Sequence, residues 1–211
     1  RVLTGEEIEV LDCEIVRLTD KIDWDHMACV VAFAAEFGAA RLLVADNDPD
    51  PSRSADSLAR LVDLGRAHGV TPCLEFMPWT YAPNLSAART RISGIEGAAL
   101  LIDAFHLARS GGTPDDLRGE DRVSYLQLCD IAGPIPLMDA ILNEARAERL
   151  FPGEGEIPLV ALLRRLPRLP LSLEVPANRL RDVGVSAEDR ARRAIAATRR
   201  LMSSEPADAD M

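Results

Sequence analysis

Four oxygen-bearing side chains stand near the ends of apolar segments, where they could bind a metal ion or move a proton. They are Glu75 in Leu74-Glu75-Phe76, Asp103 in Ile102-Asp103-Ala104, Gln127 in Leu126-Gln127-Leu128 and Glu174 in Leu173-Glu174-Val175. A lone carboxylate in such a place is more often a helix N-cap or an ion-pair partner. Burying several carboxylates is tolerable when a divalent cation lies between them, so the set of four favours a metal site.

A regular alternation of predicted strands and helices must position these side chains. Apolar and β-branched segments predict six strands, at residues 8–18, 41–45, 70–77, 98–104, 123–129 and 169–175. Capping residues and apolar spacing predict helices at residues 23–37, from Ser52 or Ser54 to 68, at 85–92, at 137–149, from Pro158 at its first position, and at 186–202. This alternation indicates a parallel sheet, which could be open and doubly wound or closed into a (β/α)8 barrel.

The absence of a glycine-rich phosphate loop after any predicted strand disfavours a nucleotide-binding open sheet. We therefore predict an α/β fold, a (β/α)8 TIM barrel that lacks its first two β/α units, since barrels of this type need eight. Residues 1–202 are expected to form this single domain and residues 203–211 an acidic, frayed tail. The active residues of such barrels lie at the C-terminal strand ends, where the four side chains would converge.

Composition narrows the class of protein and its partners. The formal net charge of −10 disfavours nucleic acid as a partner, because a net-acidic chain repels a phosphate backbone. No apolar segment reaches transmembrane length and no signal peptide is recognised, so we expect a cytoplasmic protein without a membrane partner. The four cysteines form no CxxC pair and are expected to be small, reduced hydrophobic residues.

Several motifs together resemble the xylose isomerase-like barrel proteins, the family of sugar phosphate isomerases and epimerases. The motifs are Leu74-Glu75-Phe76, Asp103-Ala104-Phe105-His106, Gln127-Leu128-Cys129-Asp130, Arg149-Leu150-Phe151-Pro152-Gly153-Glu154-Gly155 and Ser172-Leu173-Glu174-Val175. The resemblance covers essentially the whole chain. Members of the family include ketose 3-epimerases, inosose isomerases and dehydratases, and dehydroshikimate dehydratases.

The resemblance assigns roles to individual residues. It implies that one divalent metal ion is held by Glu75, Asp103, Gln127 and Glu174. It also implies that Glu75 and Glu174 act as acid and base, and that His106 faces the substrate and does not bind the metal. The sequence departs from the commonest pattern at Gln127, where most members have histidine. Dehydroshikimate dehydratases also have glutamine there, together with a similar Arg-x-x-Pro-Gly-x-Gly segment, which makes a lyase a serious alternative.

The all-oxygen ligand set favours Mg²⁺ or Mn²⁺ as the cofactor, with Zn²⁺ or Co²⁺ as alternatives. A metal-polarised carbonyl would lower the cost of removing the adjacent proton, and a neighbouring carboxylate could accept that proton. We therefore expect an isomerase or epimerase of a small polyhydroxy carbonyl compound such as a sugar. The alternatives are a lyase of the dehydroshikimate dehydratase type and a non-catalytic sugar-binding barrel.

Three further residues are candidates for binding the substrate. Arg149 could grip a phosphate or carboxylate group, or it could lie on a solvated helix face. Trp79 could form a wall of the substrate pocket or pack on a neighbouring element, and Glu14 could line the pocket from the first strand. An unpaired edge of a six-stranded sheet can also pair with another chain, so a homodimer is one expected assembly.

Overall fold

Six parallel strands run in chain order through one sheet in the described part of the chain. A computed structural model describes residues 5–6 and 8–203. The strands are β1 (Cys13–Leu18), β2 (Arg41–Asp46), β3 (Thr71–Glu75), β4 (Ala99–Asp103), β5 (Val123–Leu128) and β6 (Leu171–Leu173). The chain divides into two compact units, one comprising residues up to Leu101 with Arg122–Ser124, and the other comprising Ile102–Asp121 and the residues from Tyr125 onwards.

From residue 8 onwards, the first unit contains three helices, which follow β1, β2 and β3. These helices are α1 (Trp24–Glu36), α2 (Pro51–Arg66) and α3 (Leu85–Ile92). Each begins at a side-chain cap, because the oxygens of Asp23, Asp50 and Asn84 accept hydrogen bonds from backbone amides of the first turn. The strands between them are almost wholly buried, as expected for parallel strands that are covered on both faces.

In the first unit, the first strand and the second helix begin at residues other than those expected. The first strand begins at Cys13 and not at residue 8. The helix predicted to begin at Ser52 or Ser54 begins at Pro51, because Asp50 is the cap and proline fits the first helical position. Ser54 instead donates a hydrogen bond from Oγ to Asp46 Oδ1, at 2.8 Å.

The second unit contains shorter helices and longer connections. Its helices are α4 (Ala104–Arg109), a 3₁₀ helix (Pro114–Leu117), α5 (Met138–Asn143), a π-helical turn (Glu144–Glu148), α6 (Leu159–Arg165), α7 (Asn178–Asp182) and α8 (Ala187–Ser203). Phe151, Ala177, Ala194 and Ala197 form a buried cluster, against which Leu173 packs. The cluster therefore fixes the chain around β6 to the buried face of α8.

The second unit also corrects several expected boundaries. The helix predicted over residues 137–149 stops before Arg149, whose backbone is extended. Pro158 is the N-cap of α6 and not its first helical residue. β6 has only three residues, and it is directly preceded by Pro170, which cannot donate a ladder hydrogen bond. Of the expected tail, Ser203 ends α8, and residues 204–211 lie outside the described residues.

No helix in the described residues has both the length and the apolar character needed to cross a membrane.

Candidate active site

Asp103 is the most deeply buried carboxylate of the second unit, with no exposed surface. Asp103 is the last residue of β4, and it follows three buried apolar residues of that strand. Its Oδ1 atom accepts hydrogen bonds from the amides of Phe105, at 2.6 Å, and His106, at 3.4 Å. Asp103 therefore caps helix α4, and its second oxygen, Oδ2, faces the side chains described next.

Arg149 is the cation that compensates Asp103. Its Nη1 atom lies 2.6 Å from Asp103 Oδ2 and 3.1 Å from Glu174 Oε2, and its Nε donates to the carbonyl of Ala145 at 3.0 Å. Its guanidinium also lies over the ring of Phe105, 4.8 Å from the centroid. Arg149 is buried, so the alternative of a solvated helix face is wrong.

Asp103 and Arg149 each shift the pKa of the other. Burial alone would raise the pKa of Asp103, but the positive charge of Arg149 and the nearby His106 lower it below its usual value. Burial likewise disfavours the charged guanidinium, but the negative charge of Asp103 raises the pKa of Arg149 above its usual value. Both groups are therefore ionised at neutral pH, as expected for a buried ion pair with hydrogen bonds.

His106 is neutral at physiological pH. Burial lowers its pKa to about 4, and the nearby Asp103 only partly opposes that effect. The His106 Nε2 atom lies 3.8 Å from Asp103 Oδ2, and the ring stands edge-on to Phe105. A neutral imidazole can donate one hydrogen bond and accept another, or it can bind a metal ion. His106 could therefore hydrogen-bond a substrate or act as a metal ligand.

Gln127 and Glu174 lie on or next to neighbouring strands of the second unit. Gln127 belongs to β5, is buried, and stands opposite Ser172 of β6. Glu174 follows β6 directly, and its amide donates to the carbonyl of Leu128 at 3.2 Å. The Glu174 side chain is 43% exposed, which distinguishes it from the buried Asp103 and suits a group that exchanges protons with bound molecules or solvent.

The other candidate residues belong to the first unit. Glu75 is the buried last residue of β3 and stands opposite Leu101 of β4, two positions before Asp103 in the sequence. Trp79 is half-buried in the turn after β3. Glu14 is exposed on β1, where it lines a pocket of about 400 Å³ with apolar residues of β1 and α1.

Sequence reasoning assigned no role at the site to two side chains that shape the second unit. Arg109 is buried and forms a two-point ion pair with Glu144, with distances of 2.7 and 2.9 Å. It also donates to the carbonyls of Ala132 and Gly133, so it holds the connection after β5. Cys129 packs with its Sγ 3.8 Å from Arg149 Nη1, and burial raises its pKa. The sequence offers one weak signal for each residue. Cys129 lies inside the motif Gln127-Leu128-Cys129-Asp130, and Arg109 lies shortly after the motif that ends at His106.

A family model described as xylose isomerase-like TIM barrel matches residues 19–201. The chain belongs to this family. The match confirms both the expected resemblance and the expected fold class, since six parallel strands with alternating helices are consistent with part of a (β/α)8 barrel. No functionally curated protein is significantly similar to the chain.

Several solved structures share the fold of this chain at low sequence identity. A structure of IolI protein with a bound zinc atom has a TM-score of 0.78 and 19% identity, and the similarity covers 95% of this chain and 79% of that one. A xylose isomerase domain protein from Alicyclobacillus acidocaldarius has a TM-score of 0.69 and 19% identity, with the same coverage. The probable 3-DHS dehydratase AsbF from Bacillus anthracis has a TM-score of 0.69 and 13% identity, covering 86% of this chain and 75% of that one.

Proposed function

We propose that this chain is a metal-dependent enzyme that isomerises or epimerises a small polyhydroxy carbonyl compound. The observation that carries the proposal is the buried carboxylate of Asp103 at a strand end, with a neutral imidazole and a buried guanidinium beside it. Such an arrangement is costly for stability alone and is typical of sites that bind and polarise a ligand. The family supports this general class of activity, since its relatives include an IolI protein and a D-tagatose 3-epimerase-like protein.

The chemistry of the candidate ligands fits a divalent metal ion. In the second unit, Asp103 Oδ2 lies 3.8 Å from His106 Nε2, so these two side chains could supply ligand atoms to one ion. We propose the set Glu75, Asp103, Gln127 and Glu174, whose oxygens favour Mg²⁺ or Mn²⁺. If His106 joins the set, its imidazole strengthens the case for Zn²⁺, the metal bound in the IolI structure. A bound ion would supply positive charge next to a substrate oxygen and so favour loss of the adjacent proton.

The side chains of the chain itself would bind the substrate and move the proton. Glu174 would accept the proton, because its side chain is half-exposed and its charge is held next to Arg149. Glu75 would return a proton to the substrate. His106, being neutral, would donate a hydrogen bond to a substrate hydroxyl or carbonyl oxygen. Arg149 would keep Asp103 and Glu174 oriented through its two ion pairs.

A lyase of the dehydroshikimate dehydratase type is the second candidate. Gln127 and the Arg149–Gly155 segment are the features that favour it, since they match the pattern implied by the resemblance to those enzymes. The similarity to AsbF, described as a probable 3-DHS dehydratase, supports the same alternative. The proposed residues serve both reactions, because each begins by removing a proton next to a carbonyl group.

Metal binding is the first test of the proposal. We expect the purified chain to bind about one Mn²⁺ per molecule in calorimetric titration, and Glu174→Gln to weaken binding by on the order of tenfold or more. Glu154→Gln is the matched control, because it makes the same change at an exposed position outside the proposed set. Wild-type protein that binds neither Mn²⁺, Mg²⁺ nor Zn²⁺ would contradict the proposal.

Incubation of the metal-loaded protein with sugars and with dehydroshikimate in heavy water then distinguishes the two reactions. Deuterium incorporation without a change in the substrate's formula supports an isomerase or epimerase. Loss of water from the substrate supports the lyase.

A further inference from the structure

Asp130 is a buried carboxylate that neither the proposed metal set nor the proposed proton transfer uses. It lies just after β5 and is 1% exposed. Its Oδ1 accepts hydrogen bonds from the amides of Ile131, at 2.9 Å, and Ile157, at 3.0 Å. Its Oδ2 accepts a hydrogen bond from the amide of Gly153, at 2.9 Å. Asp130 forms no salt bridge within the described residues, so backbone amides alone stabilise its charge.

The same residue also fastens the backbone next to Arg149. The amide of Asp130 donates to the carbonyl of Leu150 at 2.9 Å, and the amide of Leu150 donates back at 2.8 Å. The amide of Glu156 donates to the carbonyl of Ile131 at 2.7 Å. Residues 150–157 form a turn whose first residue pairs with Asp130 and whose end is hydrogen-bonded to Ile131. Both ends of the turn are therefore held at the end of β5.

Gly155 shows how closely this turn approaches the carboxylate. A Cβ atom at position 155 would lie 2.3 Å from the carbonyl oxygen of Ile131 and 2.5 Å from Asp130 Oδ1. Any side chain there would have to displace the backbone or the carboxylate. The turn is thus shaped to present its amides to Asp130, and only a carboxylate offers two oxygens to the three donors.

The attachment matters because Arg149 precedes Leu150 directly. The Arg149 backbone is extended, and its guanidinium meets Asp103, 46 positions earlier in the sequence, and Glu174. Once the π-helical turn ends at Glu148, the pairing of Asp130 with Leu150 is what fixes the direction of the chain at this point. A shift of Leu150 would move the start of the arginine side chain.

We propose that Asp130 is a positioning residue that holds Arg149 against Asp103 and Glu174 through the backbone of Leu150 and the turn 151–157. Its importance for catalysis rests on the proposed function. The positioning itself is a property of the folded chain and can be tested without metal or substrate.

The test is the rate at which phenylglyoxal modifies individual arginines of the full chain, followed by mass spectrometry. In wild-type protein we expect slow modification of the three arginines that are buried in the described part of the chain, Arg91, Arg109 and Arg149. Asp130→Asn keeps the shape of the side chain but leaves one amide facing an NH₂ group. We expect it to speed modification of Arg149 by about tenfold and to leave Arg91 and Arg109 unchanged.

Asp46→Asn is the matched control, because Asp46 is a buried carboxylate that pairs with Arg91 in the first unit. It should speed modification of Arg91 alone. A folded Asp130→Asn protein in which Arg149 stays as slow as in wild type would overturn the proposal. An equal acceleration at all three arginines would also overturn it, because it would indicate general loosening. If Asp130→Asn does not fold, Gly155→Ala crowds both the Asp130 carboxylate and the carbonyl of Ile131, and it must give the same selective effect.

Titration with Mn²⁺ separates this inference from the proposed function. Arg149→Met removes a positive charge beside two proposed ligands, so Mn²⁺ should bind about tenfold more tightly. If Asp130 acts through Arg149, Asp130→Asn changes the affinity for Mn²⁺ when Arg149 is present. The same substitution then has no further effect on Mn²⁺ affinity in Arg149→Met protein. Additive effects would contradict positioning. If wild-type protein binds no metal, the proposed function fails, and the labelling result still decides the role of Asp130.

Discussion

Buried charge at a few residues dominates the energetics of the candidate site. Asp103 and Arg149 are both buried, and each would be expensive to bury alone. Their ion pair, together with the amides that hold Asp103 Oδ1, offsets that cost. Replacing a buried ion pair by apolar residues of similar volume often leaves stability unchanged or raises it, so stability alone is a weak reason to retain the charges. The pair is better explained by the site it orients.

His106 makes stability depend on pH. Its pKa is about 4 in the folded chain, against 6.5 for an ordinary histidine. Between pH 6.5 and about 4, His106 is protonated in the unfolded chain but stays neutral in the folded chain. The free energy of unfolding therefore falls as the pH falls through this range. We expect this residue to account for a loss of about 3 kcal/mol over that window.

Urea denaturation in the presence of a chelator, at pH 7 and close to pH 4, measures this contribution. His106→Gln should lose less stability on acidification than wild type, because glutamine does not titrate. Equal losses in the two proteins would show that His106 is not held neutral.

At the scale of elements, the buried carboxylate of Asp46 joins one strand to two helices in the first unit. Asp46 ends β2, and its Oδ2 atom accepts a hydrogen bond from Arg91 Nε of α3 at 2.7 Å. Arg91 also donates to the carbonyl of Pro51, the first residue of α2, at 2.6 Å. Ser54 of α2 donates to the other oxygen of Asp46. The start of α2, the end of α3 and the end of β2 are therefore fixed together.

Arg91→Met tests this junction. The change leaves Asp46 buried without its cation, so we expect the free energy of unfolding to fall by about 3–5 kcal/mol. Arg66→Met is the control, since the Arg66–Asp63 pair on α2 is exposed and should change stability by less than about 1 kcal/mol. Equal losses in the two variants, measured by chemical denaturation, would contradict the structural role assigned to Arg91.

At the scale of the whole molecule, the reactivity of the four free cysteines can test whether each unit is folded. Cys73 in the first unit and Cys129 in the second are fully buried, whereas Cys29 is exposed. Burial raises the pKa of Cys73 to about 11, which suppresses the reactive thiolate. Cys13 is half-buried on β1.

Titration with Ellman's reagent should therefore modify Cys29 rapidly in native protein and Cys73 and Cys129 only on unfolding. Peptide mapping identifies the modified residue, and Cys29→Ser should remove the rapid phase. Rapid native modification of Cys73 or Cys129 would show that the corresponding core opens readily.

Much of the fold could be predicted because its signals are local. The helix that begins after Asp23 and ends before Gly38 was predicted closely, since a cap and a glycine with positive φ lie within the segment itself. The helix at residues 85–92 was predicted with its observed ends for the same reason. The break between α5 and the π-helical turn was not predicted, because helical spacing continues through it.

The sequence by itself determined the order of strands and helices, the family, and which polar side chains stand at strand ends. These properties follow from apolar periodicity and short motifs, which residues a few positions apart encode. Only the tertiary structure decided that Arg149 is buried against Asp103 and that Asp130 holds the turn after Arg149. Those contacts join residues more than 20 positions apart, and burial and charge compensation there depend on how the intervening chain folds back.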